Sequence, residues 1–296
     1  MSSGSKVAII TGGASGNIIQ CLLSGAALGI GLALATDLVA RGWNVVIADI
    51  NPQTGETAAK SLGPTAIFHQ TDVSSWESQL SLFKTTFAKF RRLDFFAANA
   101  GIDDKKSIYE ETDAEKEKDE PAQPFLKVID VDFVAVVWGV KLASWYMRRN
   151  PDKTGGCIVM TSSAAGLYPM DTNPLYAGCK AALINFTRSV ASTYLQDKIR
   201  VNAICPALVP TAIFPGNLLD FFPEEHITPV STIVSAYNKF IDDEKLAGKV
   251  VECSQDKHFF REQVEYPSES QRWMNEESGE CWAKAYNVYF AAAGKK

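Results

Sequence analysis

The chain has no CxxC pair among its six cysteines, no proline- or glycine-rich linker and no excess of basic residues. Cys21, Cys157, Cys179, Cys205, Cys253 and Cys281 are scattered, mostly in apolar runs. That pattern excludes a disulfide scaffold or a paired-cysteine metal site, and it reads as reduced core thiols in a cytoplasmic protein with no metal. Without a linker, the 296 residues count as one domain, long enough to cover both faces of a sheet. A net charge of -5 gives no electrostatic reason to expect nucleic acid or an anionic membrane as partner. Charge is also missing from Val7 to Thr36, and within that stretch Ile18 to Ala35 has the length of a membrane span. Gln20, Ser24, Gly25, Gly29 and Gly31 interrupt it, no basic residues flank it and no basic n-region precedes it. A buried helix is the better reading than a span or a signal peptide.

Short apolar runs recur at Val7 to Ile10, Val45 to Ala48, Ala66 to Gln70, Leu93 to Ala98, Cys157 to Thr161, Arg200 to Ile204 and Lys249 to Cys253, with helical patterns between them. Strands alternating with helices of this length pair in parallel through right-handed crossovers. The expected fold is therefore α/β, a doubly wound parallel sheet of about seven strands spanning residues 1–266. Two segments depart from the repeat. Asp103 to Glu120 carries nine acidic and four basic residues and reads as a solvated loop. The stretch opened by Pro206 holds Phe214, Pro215, Phe221, Phe222 and Pro223, and residues 207–245 are expected to supply a lid over a substrate. The tail, residues 267–296, carries Trp282, Tyr286, Tyr289 and Phe290 at helical spacing and reads as a helical extension.

The first strand is followed by TGGASG from Thr11, and a GIG at Gly29 to Gly31 comes only after the run NIIQCLLSGAAL. Glycines after a buried strand let a backbone approach a phosphate at a helix N-terminus, where unpaired N–H groups and the helix dipole favour negative charge. Removing the thirteen residues Asn17 to Gly29 restores an uninterrupted TGGASGIG, so these residues are expected to be an intron or a gene-model artefact. A transcript or tryptic peptide reading from Gly16 into Ile30 would establish that. A second register, Gly25, Gly29 and Gly31 with Ser24, overlaps the first. A glycine pattern needs an acidic partner about 20 positions on to hold the adenosine ribose. Asp49, at 18 residues past Gly31, meets that need, and its carboxylate would repel a 2′-phosphate. No Arg or Lys stands in the glycine loop or directly after Asp49, so NAD is the expected cofactor rather than NADP.

The strand Cys157 to Thr161 ends in Ser162 and Ser163, and Tyr176 follows thirteen residues after Ser163 in the sequence YAGCK. Tyr176 and Lys180 are one helical turn apart on one face. Tyrosine, with a free pKa of about 10, is a poor base near neutrality. An adjacent ammonium and an oxidised nicotinamide would each stabilise its phenolate. Ser163 is placed to hydrogen-bond the substrate oxygen.

This set, with the glycine loop, Asp49 and ANAG at Ala98 to Gly101, resembles the short-chain dehydrogenase/reductase family, whose fold is of the Rossmann type. Within it, SSAAGLYP at Ser162 to Pro169, PLYAGCK at Pro174 to Lys180, VNAICPALVPTAI at Val201 to Ile213 and FIDDEKLAGKVVE from Phe240 are most similar to the NAD-dependent hydroxyprostaglandin dehydrogenase type. The resemblance implies Tyr176 as general acid/base, Ser163 as the holder of the substrate oxygen, and Lys180 as partner of Tyr176 and of the nicotinamide ribose. It also implies Gly12, Ser15, Gly16, Ile30 and Gly31 at the phosphates and Asp49 with Ile50 at the adenosine. Asp72 and Val73 would flank the adenine, Asn99, Ala100 and Gly101 would lie along the cofactor, and Val209 with Thr211 would hold the carboxamide. The implied reaction interconverts a rather apolar secondary alcohol and a ketone in a homodimer or homotetramer. Where the family carries an Asn in the pattern DVNxxxV, holding a water that relays to the lysine, this chain has Asp132. An aspartate there can accept from that water and stabilise the Lys180 ammonium. Two other readings stay open: a catalytically silent protein in which the insertion blocks NAD, and a non-redox lyase or isomerase.

Overall fold

The first strand, β1 (Val7–Thr11), is buried along its whole length, as expected of a central strand covered on both faces. The computed structural model describes residues 4–14, 29–104, 108, 109, 111–211 and 221–293. The other strands are β2 (Asn44–Asp49), β3 (Ala66–Gln70), β4 (Phe95–Ala98), β5 (Gly156–Thr161), β6 (Ile199–Pro206), β7 (Val250–Ser254) and β8 (Lys257–Phe260). They form one sheet in the order β3-β2-β1-β4-β5-β6-β7-β8. All neighbours pair in parallel except β7 and β8. The expected sheet is thus present with one strand more. β8 folds back from β7 through Gln255, which has φ +52. Tight hairpins of this kind usually carry Asn-Gly or Asp-Gly, and Gln-Asp gives no such signal.

The helices are α1 (Ile30–Ala40), α2 (Pro52–Leu62), α3 (Trp76–Phe90), α4 (Asp113–Lys118), α5 (Lys127–Ile129), α6 (Ala135–Met147), α7 (Pro174–Leu195) and α8 (Val230–Asp242), with a π-helical segment Asp130–Val134 joining α5 to α6. Strand alternation divides the core. Ala8, Ile10, Val45, Ile47, Phe95 and Val159 face α1 and α8, whose Leu34, Leu38, Ile233, Ala236 and Phe240 are buried there. Ile9, Val46, Phe96, Ile158 and Met160 face α3, α6 and α7, which supply Leu82, Phe83, Val136, Val140, Met147 and Leu183. Each of the larger of these side chains contributes about 1.5–3 kcal/mol relative to exposure, so two filled faces hold the strand ends in register. Because α8 is a core helix, the C-terminal part of the expected 207–245 lid is scaffold; residues 212–220 lie outside the described residues.

Two compact units divide the chain, residues 1–261 and 262–296. The second contains α9 (Glu269–Glu276) and α10 (Gly279–Ala293), and Ser268 caps α9 by accepting from the N–H of Gln271. Its first residue falls a little before the expected 267. Among the described residues, no helix is long and apolar enough to cross a membrane.

Candidate active site at the sheet's switch point

The strand order reverses between β1 and β4, and ligands of open α/β sheets bind outside the carboxyl ends of strands at such a point. Thr11, the last residue of β1, stitches the two strands together there. Its hydroxyl donates to the carbonyl of Ala97 at 3.2 Å and accepts the N–H groups of Asn99 and Ala100 at 3.0 and 3.1 Å. Asn99 Nδ2 returns a bond to the Thr11 carbonyl at 3.1 Å. A cavity of about 950 Å³ opens over this junction.

Ser163, Tyr176 and Lys180 all line that cavity, together with Gly12, Ile30, Asn99, Ala100, Gly101, Val209 and Thr211. Ser163 caps a 3₁₀ turn at the end of β5, accepting the N–H of Ala165 at 3.1 Å. Tyr176 and Lys180 project from the first two turns of α7, with the Lys180 Nζ 5.2 Å from the centre of the Tyr176 ring. The neighbouring Ser162, buried, donates to the carbonyl of Lys180 at 2.7 Å and so fastens α7 to the end of β5.

Lys180 is buried, and its ammonium has two partners from the frame: the Thr161 carbonyl at 3.0 Å and Asp132 Oδ2 at 2.9 Å. Asp132, fully buried in the π-helical segment, accepts the N–H of Ile102 at 2.9 Å through Oδ1. Asp132 and Lys180 thus form a direct ion pair: a carboxylate, unlike an amide, attracts the ammonium into contact. Burial raises the pKa of Asp132 above the ordinary carboxylate value, with Lys180 pulling against it. For Lys180 burial works downward, but the charges of Asp132 and Tyr176 outweigh it and hold the ammonium above its ordinary value. A buried lysine would otherwise tend to lose its proton, so the aspartate keeps the charge beside Tyr176.

The loop after β4 contributes residues that the sequence reading assigned to a solvated stretch. Asp103 Oδ1 accepts from Asn173 Nδ2 at 2.6 Å. Asp104 accepts the N–H of Leu175 at 3.0 Å and that of Tyr176 at 2.9 Å. Both aspartates line the cavity and are half-buried. Only α4, farther along the same stretch, is a solvated helix, closed by a capping box between Thr112 and Glu115. Nothing local in the sequence marks a carboxylate that caps a helix about 70 residues away: Asn173 before Pro174 reads as a self-capped start, and only the structure shows that its side chain does not cap α7.

At the other end of the cavity, glycine is enforced by contact. A Cβ on Gly31 would stand 2.5 Å from the Gly12 carbonyl oxygen and 2.9 Å from Gly13 Cα, and Gly12 itself has φ +65. Asp49, buried at the end of β2, accepts the N–H of Ala14 at 3.0 Å and that of Asn51 at 3.2 Å. Ile50 beside it is exposed. Asp72 is turned toward Ser74, whose hydroxyl and N–H it accepts, and these bonds hold its carboxyl below the usual range. Val73 receives the side-chain amide of Gln79 on its carbonyl. Asp49, Ile50, Asp72 and Val73 do not line the cavity. Ser15, Gly16 and residues 17–28 of the insertion lie outside the described residues; Gly29 is the N-cap of α1.

A serine, a tyrosine and a buried lysine at the switch point of a mostly parallel sheet define an enzyme-like α/β protein with its ligand cleft at the carboxyl edge. The sequence model of the short chain dehydrogenase family matches residues 20–217, a match that begins inside the 17–29 run. The chain belongs to the short-chain dehydrogenase/reductase family of oxidoreductases. It is 38% identical over 233 residues to short-chain dehydrogenase/reductase prx6 of Penicillium rubens, covering 77% of this chain and 78% of that protein. Prx7 of the same organism is 34% identical over 265 residues, 82% and 94% of the two chains. Human 15-hydroxyprostaglandin dehydrogenase (NAD(+)) is 28% identical over 262 residues, 80% and 92%. The crystal structure of 3-ketoacyl-(acyl-carrier-protein) reductase from Brucella melitensis complexed with NADH shares the fold, with TM-score 0.69 at 20% identity over 84% of this chain and 96% of that one.

Proposed function

We propose that the protein is an NAD-dependent oxidoreductase that interconverts a secondary alcohol and a ketone, with Tyr176 as general acid/base. The observation that carries this reading is the Lys180 ammonium, held 5.2 Å from the Tyr176 ring by Asp132 and the Thr161 carbonyl. A tyrosine that serves only packing has no need of a buried, ion-paired lysine beneath it, whereas a phenolate does. In the oxidative direction Ser163 Oγ hydrogen-bonds the substrate oxygen, and the Tyr176 oxygen takes the hydroxyl proton. In the reductive direction the same oxygen returns it. The apolar part of the cavity, Ile102, Leu208, Val209, Met170 and Tyr168, suits a rather apolar body on the carbinol carbon.

The residues at the other end fit a dinucleotide. The Gly12 and Gly31 contact is a cradle that one Cβ would fill, and Asp49 sets a carboxylate at the end of β2, where it favours a ribose and opposes a 2′-phosphate. Bound there, NAD supplies the hydride acceptor. Gly12, Ile30 and Gly31 would face its phosphates, Asp49 its adenosine ribose, and Asn99 to Gly101, Val209 and Thr211 its nicotinamide half. A relative whose name specifies NAD(+) supports the same choice. A cytoplasmic location goes with this reading, supported by the buried free thiols Cys157, Cys179, Cys205 and Cys253, and a homodimer or homotetramer is proposed with it from the family resemblance. The test is a titration with NAD and with NADP, followed by a screen of secondary alcohols for reduced nicotinamide. Tighter binding of NAD and turnover of some member of the panel are expected; absence of binding at millimolar NAD would remove the enzyme reading.

A further inference from the structure

The general base is held in place from outside its own helix. Of the first residues of α7, Pro174 has no N–H, and those of Leu175 and Tyr176 both go to the one carboxylate of Asp104, at 3.0 and 2.9 Å. The N-cap residue Asn173, whose side chain would ordinarily do this work, instead donates to Asp103 at 2.6 Å. Two residues before Asp104, the N–H of Ile102 holds Asp132 at 2.9 Å, and Asp132 holds Lys180. Gly101 completes the loop, and there a Cβ would stand 2.7 Å from Asp132 Oδ2 and 3.3 Å from Lys180 Nζ. Within four consecutive residues, Asp104 thus grips Tyr176 through its backbone and Ile102 grips Lys180 through its counter-ion.

We infer that Asp104 is a positioning residue for the proposed reaction: its bidentate carboxylate fixes the backbone of Tyr176 relative to the loop along which the nicotinamide half would lie. This rests on the proposed role of Tyr176. The geometry calls for an acceptor with two oxygens at this position, because two N–H groups on successive residues point at it. Alanine removes both acceptors. Asparagine leaves one oxygen and turns an amide N–H₂ toward a donor, so it restores part of the arrangement.

The experiment compares Asp104→Ala and Asp104→Asn with wild type in the full chain, using NAD and the best secondary alcohol found in the screen. Asp104→Ala is expected to lower kcat about tenfold or more while NAD affinity, read by fluorescence titration, stays within about twofold. Asp104→Asn should recover part of the lost kcat. Amide hydrogen exchange at Leu175 and Tyr176 should accelerate in Asp104→Ala and less so in Asp104→Asn. Unchanged kcat in both variants overturns the inference, as does a fall in kcat that merely tracks loss of NAD binding and thermal stability. If wild type oxidises no alcohol, the reading of Tyr176 fails; the exchange rates would still report whether the carboxylate grips the helix.

Discussion

The two ends of the cleft are built on different principles. At the tyrosine end, function rests on side chains and is secured by a dense set of polar bonds: Ser162 to α7, Thr161 and Asp132 to Lys180, and Asp104 to the backbone of Tyr176. At the glycine end the proposed cofactor seat rests on the absence of side chains, with Gly31 against Gly12 and a single carboxylate, Asp49, at the end of β2 where the proposed ribose contact falls. The first kind of site is damaged by deleting a group and the second by adding one. Chemistry and cofactor affinity are thereby separable by substitution, and each change below is chosen to affect one end without the other.

The largest effect is expected from Tyr176→Phe, which removes the acid/base oxygen and leaves the ring over Lys180. Turnover should fall by about 10²–10⁴-fold while NAD binding measured by calorimetry is retained. Gly31→Ala should do the reverse. Its new methyl meets backbone on two sides, at 2.5 and 2.9 Å, and backbone cannot swing away. A loss of about 2–3 kcal/mol in NAD affinity, roughly 100-fold, is expected, with the tyrosine end intact. Asp49→Ala is milder: the loss of charge-assisted hydrogen bonds should weaken NAD by about tenfold or somewhat more and bring NADP closer to it, read from the ratio of their kcat/KM values. Unchanged preference would move ribose recognition elsewhere.

Asp132→Asn is read in stability, where the loss should be largest at neutral pH and shrink in alkali. The folded Lys180 ammonium is raised above its ordinary 10.5, with Asp132 the main group raising it. Stability from a raised group is fully present below the unfolded value and lost as pH climbs through the folded one. Without the carboxylate, burial is opposed chiefly by Tyr176, so the folded Lys180 value falls. The loss of stability that wild type shows as pH climbs through its raised value should shrink or reverse in Asp132→Asn, and the two melting curves should converge in alkali. Coincident melting curves from pH 8 to about 11 would show that the pair does not hold this charge.

Much of the tyrosine end was legible in the sequence because its spacing follows from helix geometry: residues four apart share a face, and Ser163 closes a strand whose apolar run is plain. The sheet was legible for the same reason, since strands buried on both faces read as unbroken apolar runs. What escaped was long-range or lacked a local mark. Asp103 and Asp104 head a stretch of charge that looks solvated, and their partners, Asn173, Leu175 and Tyr176, are about 70 residues on. Asp132 was legible as a departure from the family's Asn and as a charge able to stabilise the Lys180 ammonium, while the N–H of Ile102 that holds its other oxygen is long-range and carries no local mark. β8 escaped because its hairpin turn has neither glycine nor asparagine. At the glycine end, the sequence marked Gly12 and Gly31 as parts of one motif although residues 17–29 lie between them, but the close approach of Gly31 to the Gly12 carbonyl is visible only in the fold.

The central claim, that Tyr176 and Lys180 serve a redox exchange at this cleft, is tested most directly by product balance. Enzyme, NAD and a secondary alcohol are mixed, and ketone and reduced nicotinamide are quantified in the same sample. Equal amounts of the two are predicted, with both formed at least about a hundredfold more slowly by Tyr176→Phe. Product without reduced nicotinamide, or reduced nicotinamide formed equally well by Tyr176→Phe, would contradict it.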